Sequence, residues 1–189
     1  YSADVYSRGA LPSVVVVPEN KEKVSQAVAA AKREGYVIVP RGGGMSYTGG
    51  YRPVREDTIT FDMSRMNKIL EINQEDMYIT VESGITWKAL HEALSKTDVR
   101  TPFWGPLSGA RATVGGAVSQ NAILWGSTSH DVSASSVLSV EVVLADGTIL
   151  NTGSAGSGLK PFFRNYGPDL TGIFLGDTGA LGIKTKVTL

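Results

Sequence analysis

Residues 40–50 are the part of the chain whose composition best suits the binding of an anion. They read PRGGGMSYTGG, and five of the nine residues 42–50 are glycine. Glycine at this density lets the main chain adopt positive φ angles and approach a ligand closely, and successive amides can then converge on an anion. Ser46 and Thr48 add hydroxyl donors, and Arg41 adds a positive charge. We expect this glycine loop to bind a diphosphate.

Three other interpretations of the glycine loop can be compared with the sequence. A flexible turn would also use glycine, but it would not normally lie between a buried strand and Ser/Thr donors. A dinucleotide loop of the doubly wound type continues into a helix, whereas this loop runs through Tyr51–Pro53 towards the strand-like run Thr58–Asp62. A P-loop ends in Gly-Lys-Ser/Thr, which is absent here. The two helix-based motifs are therefore rejected.

Few other residues suit catalysis or metal binding. The chain has no Cys and two His, which excludes thiolate chemistry and argues against a metal site. His91 opens a zinc-like signature, but Ser95 stands where the second His is needed, so we interpret His91 as a packed or partly exposed helix residue. His130 lies in a loop next to Asp131 and could approach a ligand, although such a His more often bonds to its neighbours. No Gly-x-Ser-x-Gly motif supports acyl transfer.

The overall charge and hydropathy exclude several kinds of partner. Eighteen basic and 18 acidic residues give a net charge of zero, which argues against binding nucleic acid or an anionic membrane by bulk electrostatics. No apolar run approaches the roughly 18 residues of a membrane span, and no leader opens the chain, so a cytoplasmic location is the default expectation. Because the chain starts at Tyr1 rather than Met, we interpret it as a piece of a longer polypeptide.

The elements that position the glycine loop follow from the hydrophobic periodicity. Val14–Val17 is a β-branched strand, Asn20 is the predicted N-cap of a helix that ends at Gly35, and Tyr36–Val39 is a second strand. An Asp-Gly turn at 146–147 predicts a hairpin. Further elements are predicted as strands at 58–62, 69–73, 78–82 and 183–189, helices at 86–96 and near 112–122, and a short helix or turn at 170–175. This mixture predicts an α+β fold with a boundary near Asp57 or Thr97.

Four segments together resemble a known family. They are PRGGGMSYTGG at 40–50, ATVGGAVSQNA at 112–122, VLSVEVVLADGTIL at 137–150 and YGPDLTGIFLGDTGALGIKTKVTL at 166–189. In this order and spacing they resemble the PCMH-type FAD-binding domain of the vanillyl-alcohol oxidase / p-cresol methylhydroxylase flavoprotein family, over nearly the whole chain. The resemblance implies an α+β fold of two α/β subdomains with FAD held between them. Here these would be a βαβ part at 1–57, which carries the glycine loop, and a larger part at 58–189.

The resemblance also implies which residues contact the cofactor. The glycine loop would wrap the pyrophosphate through main-chain donors, and the later segments would line the rest of FAD. The implied cofactor-binding residues are Pro40, Arg41, Gly42, Gly43, Gly44, Met45, Ser46, Gly49, Gly50, Pro106, Leu107, Ser108, Thr113, Gly115, Gly116, Asn121, Gly126, Gly182 and Ile183. Trp104 and Trp125 could flank the cofactor or pack in the core.

This sequence departs from some members of the family. Several carry a His after the triple glycine that bonds covalently to the flavin, and this chain has Met45 there and no Cys. We therefore predict non-covalent FAD. Many relatives also have an Asp where this chain has Ser135, and we assign no consequence to that change. We further expect Gly43→Val to abolish FAD binding while leaving the fold largely intact.

The leading functional hypothesis is the FAD-binding part of an FAD-linked oxidase or dehydrogenase. Such an enzyme moves a hydride from an alcohol or 2-hydroxy acid to FAD and then to an acceptor. In the family a substrate-binding cap follows the FAD domain, and it would be absent from this chain or supplied by a partner subunit, so we name no catalytic residue. The alternatives are an alkyl-dihydroxyacetone-phosphate-synthase-like transferase and a stand-alone FAD-binding subunit. A homodimer is also open.

Overall fold

The computed structural model describes residues 1–165 and 167–189, so the first residue of the fourth family segment, Tyr166, lies outside them. Two sheets organise the chain. The first is a three-stranded parallel sheet in the order β1-β3-β2. Its elements are β1 (Val14–Val16), α1 (Lys21–Arg33), β2 (Val37–Arg41) and β3 (Thr58–Asp62).

Helix α1 forms as its sequence predicts. The Oδ1 atom of Asn20 accepts a hydrogen bond from the amide of Lys23, which satisfies one of the free donors at the helix N-terminus. The helix buries Val24 and Val28 against the sheet. Strand β2 runs on through Pro40, beyond the predicted end at Val39, and the missing proline N–H is tolerated because β2 lies at the sheet edge.

Strand β3 holds the first sheet together. It pairs with both β1 and β2, with Ile59 opposite Val14 on one side and Ile38 on the other. The division expected at residue 57 assigns Thr58–Asp62 to the larger part, whereas the structure places this strand at the centre of the first sheet. Local sequence cannot reveal this pairing, since β3 is separated from β1 by a helix, a strand and the glycine loop.

The second sheet has five antiparallel strands in the order β4-β5-β8-β6-β7. The late strand β8 lies between β5 and β6, so the end of the chain completes the centre of this sheet. Short 3₁₀ turns lie at Met63–Arg65, Ser133–Ser136 and Gly153–Ser157. The remaining elements are β4 (Ile69–Asn73), β5 (Tyr78–Glu82), α2 (Trp87–Leu94), α3 (Val114–Ser119), α4 (Ser127–His130), β6 (Ser139–Val143), β7 (Ile149–Asn151), α5 (Leu170–Ile173) and β8 (Ile183–Thr188).

Helix α1 joins the two sheets. Its Val24 and Val28 pack in one buried cluster with Val143 of β6 and Ile183 of β8. The Ser25 hydroxyl donates to the carbonyl of Gly147 at 2.6 Å, in the turn between β6 and β7. These contacts fix the larger sheet against the smaller one, and the predicted α+β fold is confirmed. In the part of the chain that the structure describes, no helix is long and apolar enough to cross a membrane.

Candidate functional site

A cavity of about 930 Å³ lies beside the glycine loop, near the upper end of the roughly 300–1,000 Å³ typical of small-molecule sites. Its walls come from the loop after β2, from α3 and the segments on either side of it, and from the turn that leads into β8. Every implied cofactor-binding residue lines it except Gly49 and Asn121: Pro40, Arg41, Gly42, Gly43, Gly44, Met45, Ser46, Gly50, Pro106, Leu107, Ser108, Thr113, Gly115, Gly116, Gly126, Gly182 and Ile183.

The glycine loop is pressed against the second wall of the cavity. A Cβ atom on Gly43 would overlap the carbonyl oxygen of Arg111, and one on Gly42 would overlap the hydroxyl of Thr113. Gly44 has a φ angle of +65°, a backbone conformation that residues other than glycine adopt only under strain. Glycine is therefore required here first for the close approach of two backbone segments.

Four consecutive main-chain donors of the loop have no partner in the part of the chain that the structure describes. Among the described residues, no acceptor binds the amide N–H of Gly43, Gly44, Met45 or Ser46. Main-chain N–H groups are strong donors that rarely stay unpaired, and consecutive free amides form the concave arrangement that binds anions. The loop thus offers a row of donors on the wall of the cavity.

Arg41 brings a positive charge to the same wall. Its guanidinium carbon lies 4.5 Å from the ring centroid of Tyr51, whose hydroxyl donates to the carbonyl of Gly44 at 2.9 Å. Burial raises the pKa of Tyr51, although the Arg41 charge opposes this shift. The buried Nη1 atom of Arg41 has no hydrogen-bond partner among the described residues. A buried charged donor is costly without an acceptor, so this atom suits an anionic guest.

The start of α3 contributes packing rather than donors. The amide of Val114 donates to Ile85 O at 2.9 Å, and that of Gly115 to Ser83 O at 2.8 Å. The amide of Gly116 donates to the Thr113 hydroxyl at 3.2 Å. A Cβ atom on Gly115 would lie 2.6 Å from the Cβ atom of Ser83. The glycine pair therefore lets α3 approach β5 and form the floor of the cavity.

A buried ion pair lies beside the cavity at the start of β8. The Nζ atom of Lys184 lies 2.6 Å from Oδ1 of Asp177, with the two side chains 3% and 2% exposed. Burial lowers the pKa of Lys184, and the hydrogen bond and charge of Asp177 oppose this shift. Asp177 also accepts from the amides of Gly179 at 3.0 Å and Leu181 at 3.3 Å. The pair thus holds the turn that lies against Pro40.

Several cavity-lining residues were not predicted from the sequence, and three of them with polar side chains are Ser83, Gln120 and Lys184. The side-chain oxygen of Gln120 accepts from the hydroxyl of Thr48 at 3.0 Å, which links the far end of the glycine loop to α3. A Lys seven residues after an Asp, across a glycine-rich turn, is a signal that could have indicated the ion pair. Nothing in the local sequence marks Ser83.

Comparison with known proteins identifies the family. A family model described as an FAD binding domain matches residues 12–153. The chain belongs to this family of FAD-binding domains. The match confirms the resemblance drawn from the four segments, and the free amides and the unpaired Arg41 donor fit the diphosphate of FAD.

Named relatives of this FAD-binding domain are longer proteins. It is 36% identical to a probable mitochondrial D-lactate dehydrogenase of Danio rerio over 94% of the chain and 35% of the relative. It is 32% identical to a glycolate oxidase subunit of Bacillus subtilis over 93% of the chain and 36% of the relative. A solved alkyldihydroxyacetonephosphate synthase structure is 28% identical, with a TM-score of 0.79 over 92% of the chain and 33% of that structure. The domain thus spans about a third of the length of these relatives.

Two residues implied as contacts of this FAD-binding domain do not line the cavity. Asn121 adopts a positive φ of 46°, and its side-chain oxygen accepts from the amide of Ala134 at 3.2 Å, so it anchors the following turn. Gly49 also has a positive φ, of 71°, and its carbonyl accepts from the amide of Arg52. Both residues shape the backbone next to the cavity.

The histidines and tryptophans divide between the cavity and the surface. His91 is exposed on α2, with its ring 5.1 Å from that of Trp104, and His130 is exposed at the end of α4. Neither His lines the cavity, and neither does Trp104, whereas Trp125 does. The sequence interpretation of His91 as a packed or partly exposed helix residue agrees with this position.

Proposed function

We propose that this chain is the FAD-binding part of an enzyme that oxidises a 2-hydroxy acid. The observation that carries the proposal is that residues 43–46, whose amides are unpaired, line the same cavity as Arg41, whose buried Nη1 has no partner among the described residues. This arrangement suits a diphosphate bound at one wall of the cavity. When bound, FAD supplies the capacity to accept a hydride, and the protein supplies binding and orientation.

The cavity walls carry groups that suit the diphosphate of FAD and other groups that suit its aromatic ring system. The glycine loop and Arg41 would hold the diphosphate without any group that titrates near neutral pH. Leu107, Leu124 and Trp125 also line the cavity, and such apolar side chains would exclude water from an aromatic ring system. The implied contacts on Pro106–Ser108, Thr113, Gly115, Gly116, Gly126 and Gly182–Ile183 remain part of this proposal.

The FAD is proposed to be non-covalent. Covalent flavin attachment in the family uses His or Cys, and the chain has no Cys. Within the described residues, neither His lines the cavity. We expect acid precipitation of the loaded protein to release all of the flavin into the supernatant, as measured by absorbance. Flavin that stays with the pellet after washing in denaturant would contradict non-covalent binding.

The proposed substrate class comes from the named relatives, a D-lactate dehydrogenase and a glycolate oxidase subunit. The test is anaerobic addition of D-lactate or glycolate to the full-length FAD-loaded protein. Loss of the visible flavin absorbance, restored by an electron acceptor, would support a dehydrogenase. Unchanged flavin absorbance with both acids would count against this substrate class. The substrate site would come from a further segment or a partner subunit, and a homodimer remains open.

A transferase of the alkyldihydroxyacetonephosphate synthase kind is the second candidate. The similarity to that solved structure, with a TM-score of 0.79, favours it. In this case the protein would bind FAD equally well but would consume no external electron acceptor during turnover. A stand-alone FAD-binding subunit is the third candidate. The cytoplasmic location expected from the sequence gains no support from the relatives, one of which is named as mitochondrial.

A further inference from the structure

Ser83 carries a buried hydroxyl that the fold itself does not use. The residue directly follows β5, is 4% exposed and lines the cavity. Its Oγ atom is buried and has no hydrogen-bond partner among the described residues. Most buried polar side-chain atoms have a partner, and each exception requires an explanation.

The backbone of Ser83 is held firmly while its hydroxyl is left free. The amide of Ser83 donates to Thr185 O at 3.0 Å, and its carbonyl accepts from the amide of Gly115 at 2.8 Å. These bonds tie the residue to β8 on one side and to α3 on the other. The main chain of Ser83 therefore has a fixed position beside the cavity, and its side chain can rotate about χ1 to turn the hydroxyl towards a ligand.

The charges around the cavity indicate what kind of atom this hydroxyl meets. The diphosphate is matched by the free amides at 43–46 and by Arg41, on the glycine-loop wall. Lys184, which follows the cavity-lining Ile183, is already neutralised by Asp177. The hydroxyl therefore suits an uncharged polar atom, such as a hydroxyl, carbonyl or ring nitrogen of the cofactor.

We propose that the Ser83 hydroxyl is a hydrogen-bond partner of an uncharged polar atom of FAD. The inference rests on the proposed binding of FAD in this cavity. It adds a contact that is absent from the set implied by the family resemblance. The unsatisfied hydroxyl then represents a site that is completed only when the cofactor binds.

Thr60 offers a matched control elsewhere in the molecule. Its hydroxyl is also buried without a partner among the described residues, and the residue is 0% exposed. It lies in β3 and does not line the cavity. The two residues therefore share the same unsatisfied chemistry and differ in access to the ligand.

The experiment compares Ser83→Ala and Thr60→Val in the full-length protein, by FAD titration calorimetry and by thermal unfolding without FAD. Removing an unsatisfied buried hydroxyl should leave the unfolding midpoint of either variant unchanged or raise it by about 2–4 °C. Ser83→Ala should weaken FAD binding about tenfold, the equivalent of one good hydrogen bond. Thr60→Val should leave FAD affinity within about twofold of the parent.

The outcomes separate this inference from the proposed function. If the parent protein does not bind FAD, the proposed function fails. If the parent binds FAD and Ser83→Ala binds it equally well, only the Ser83 contact is overturned. A Ser83→Ala variant whose midpoint falls together with its affinity would also overturn the contact, since the hydroxyl would then serve the fold.

Discussion

The glycine loop and the start of α3 are both rich in glycine and face the same cavity, yet they use their main-chain donors in opposite ways. In the loop, four consecutive amides from Gly43 to Ser46 have no acceptor among the described residues. At the start of α3, the amides of Val114, Gly115 and Gly116 all bond within the protein. Glycine at both places marks a close backbone approach, and only the hydrogen-bond pattern distinguishes the proposed ligand-binding segment from the packing segment.

This comparison predicts that substitutions in the two regions affect different measurements. A change at the start of α3 should lower the free energy of unfolding of the FAD-free protein. A change in the donors of the loop should lower FAD affinity with little effect on unfolding. The following predictions run from the largest expected effect to the smallest.

Gly115→Ala should give the largest loss of stability. The added Cβ would lie 2.6 Å from Ser83 Cβ and 2.8 Å from Ser83 O. Helix α3 would have to move away from Ser83 to make room for it. Overpacking of this kind costs about 3 kcal/mol, which lowers the unfolding midpoint by roughly 6–12 °C. Thermal unfolding without FAD measures the effect.

The neighbouring glycine gives the control for that substitution. A Cβ on Gly116 would meet only the hydroxyl of Thr113, at 3.1 Å, so Gly116→Ala should cost less than about 1 kcal/mol. If the two variants lost equal amounts of unfolding free energy, helix propensity or flexibility, and not contact with Ser83, would explain why both positions are glycine.

Arg41→Gln should separate binding from stability. The substitution removes the positive charge and the buried Nη1 donor that lacks a partner. We expect FAD affinity to fall about 10- to 100-fold, as for a lost charged hydrogen bond, while the unfolding midpoint without FAD stays the same or rises. Calorimetry with FAD and thermal unfolding measure the two quantities.

Arg65→Gln is the charge-matched control for Arg41→Gln. Arg65 pairs with Glu19 on the surface, and such exposed pairs contribute little. It lies outside the cavity lining, so FAD affinity should not change. If both variants weakened FAD binding equally, net charge and not the position of Arg41 would be responsible.

The sequence predicted the local elements better than the contacts between distant segments. The Asn20 cap of α1 and the Asp-Gly hairpin turn near Gly147 are short-range features, and both are confirmed. The position of β3 between β1 and β2 depends on its pairing with β1 across more than 40 residues, and the boundary predicted at residue 57 was drawn without this pairing. The Asp177–Lys184 pair likewise forms only when the turn before β8 folds back.

The expectation for Gly43→Val shows the same limit. Sequence reasoning placed its effect in FAD binding alone, because it treated the glycines as facing the ligand. In the structure, a Cβ at Gly43 meets the backbone of Arg111 and Ala112, so this substitution would also separate the two walls of the cavity. The glycine pattern revealed where the site lies, and it did not reveal which side of the loop is crowded.

Ser46→Ala should have the smallest effect of the series. The hydroxyl of Ser46 already bonds to the Thr48 hydroxyl at 2.9 Å and accepts from the Thr48 amide at 3.2 Å, whereas the Ser46 amide is free among the described residues. The substitution keeps that amide, so FAD affinity measured by calorimetry should change less than about threefold. A loss of tenfold or more would show that the hydroxyl binds the diphosphate, and the distinction drawn between free main-chain donors and occupied side chains would then fail.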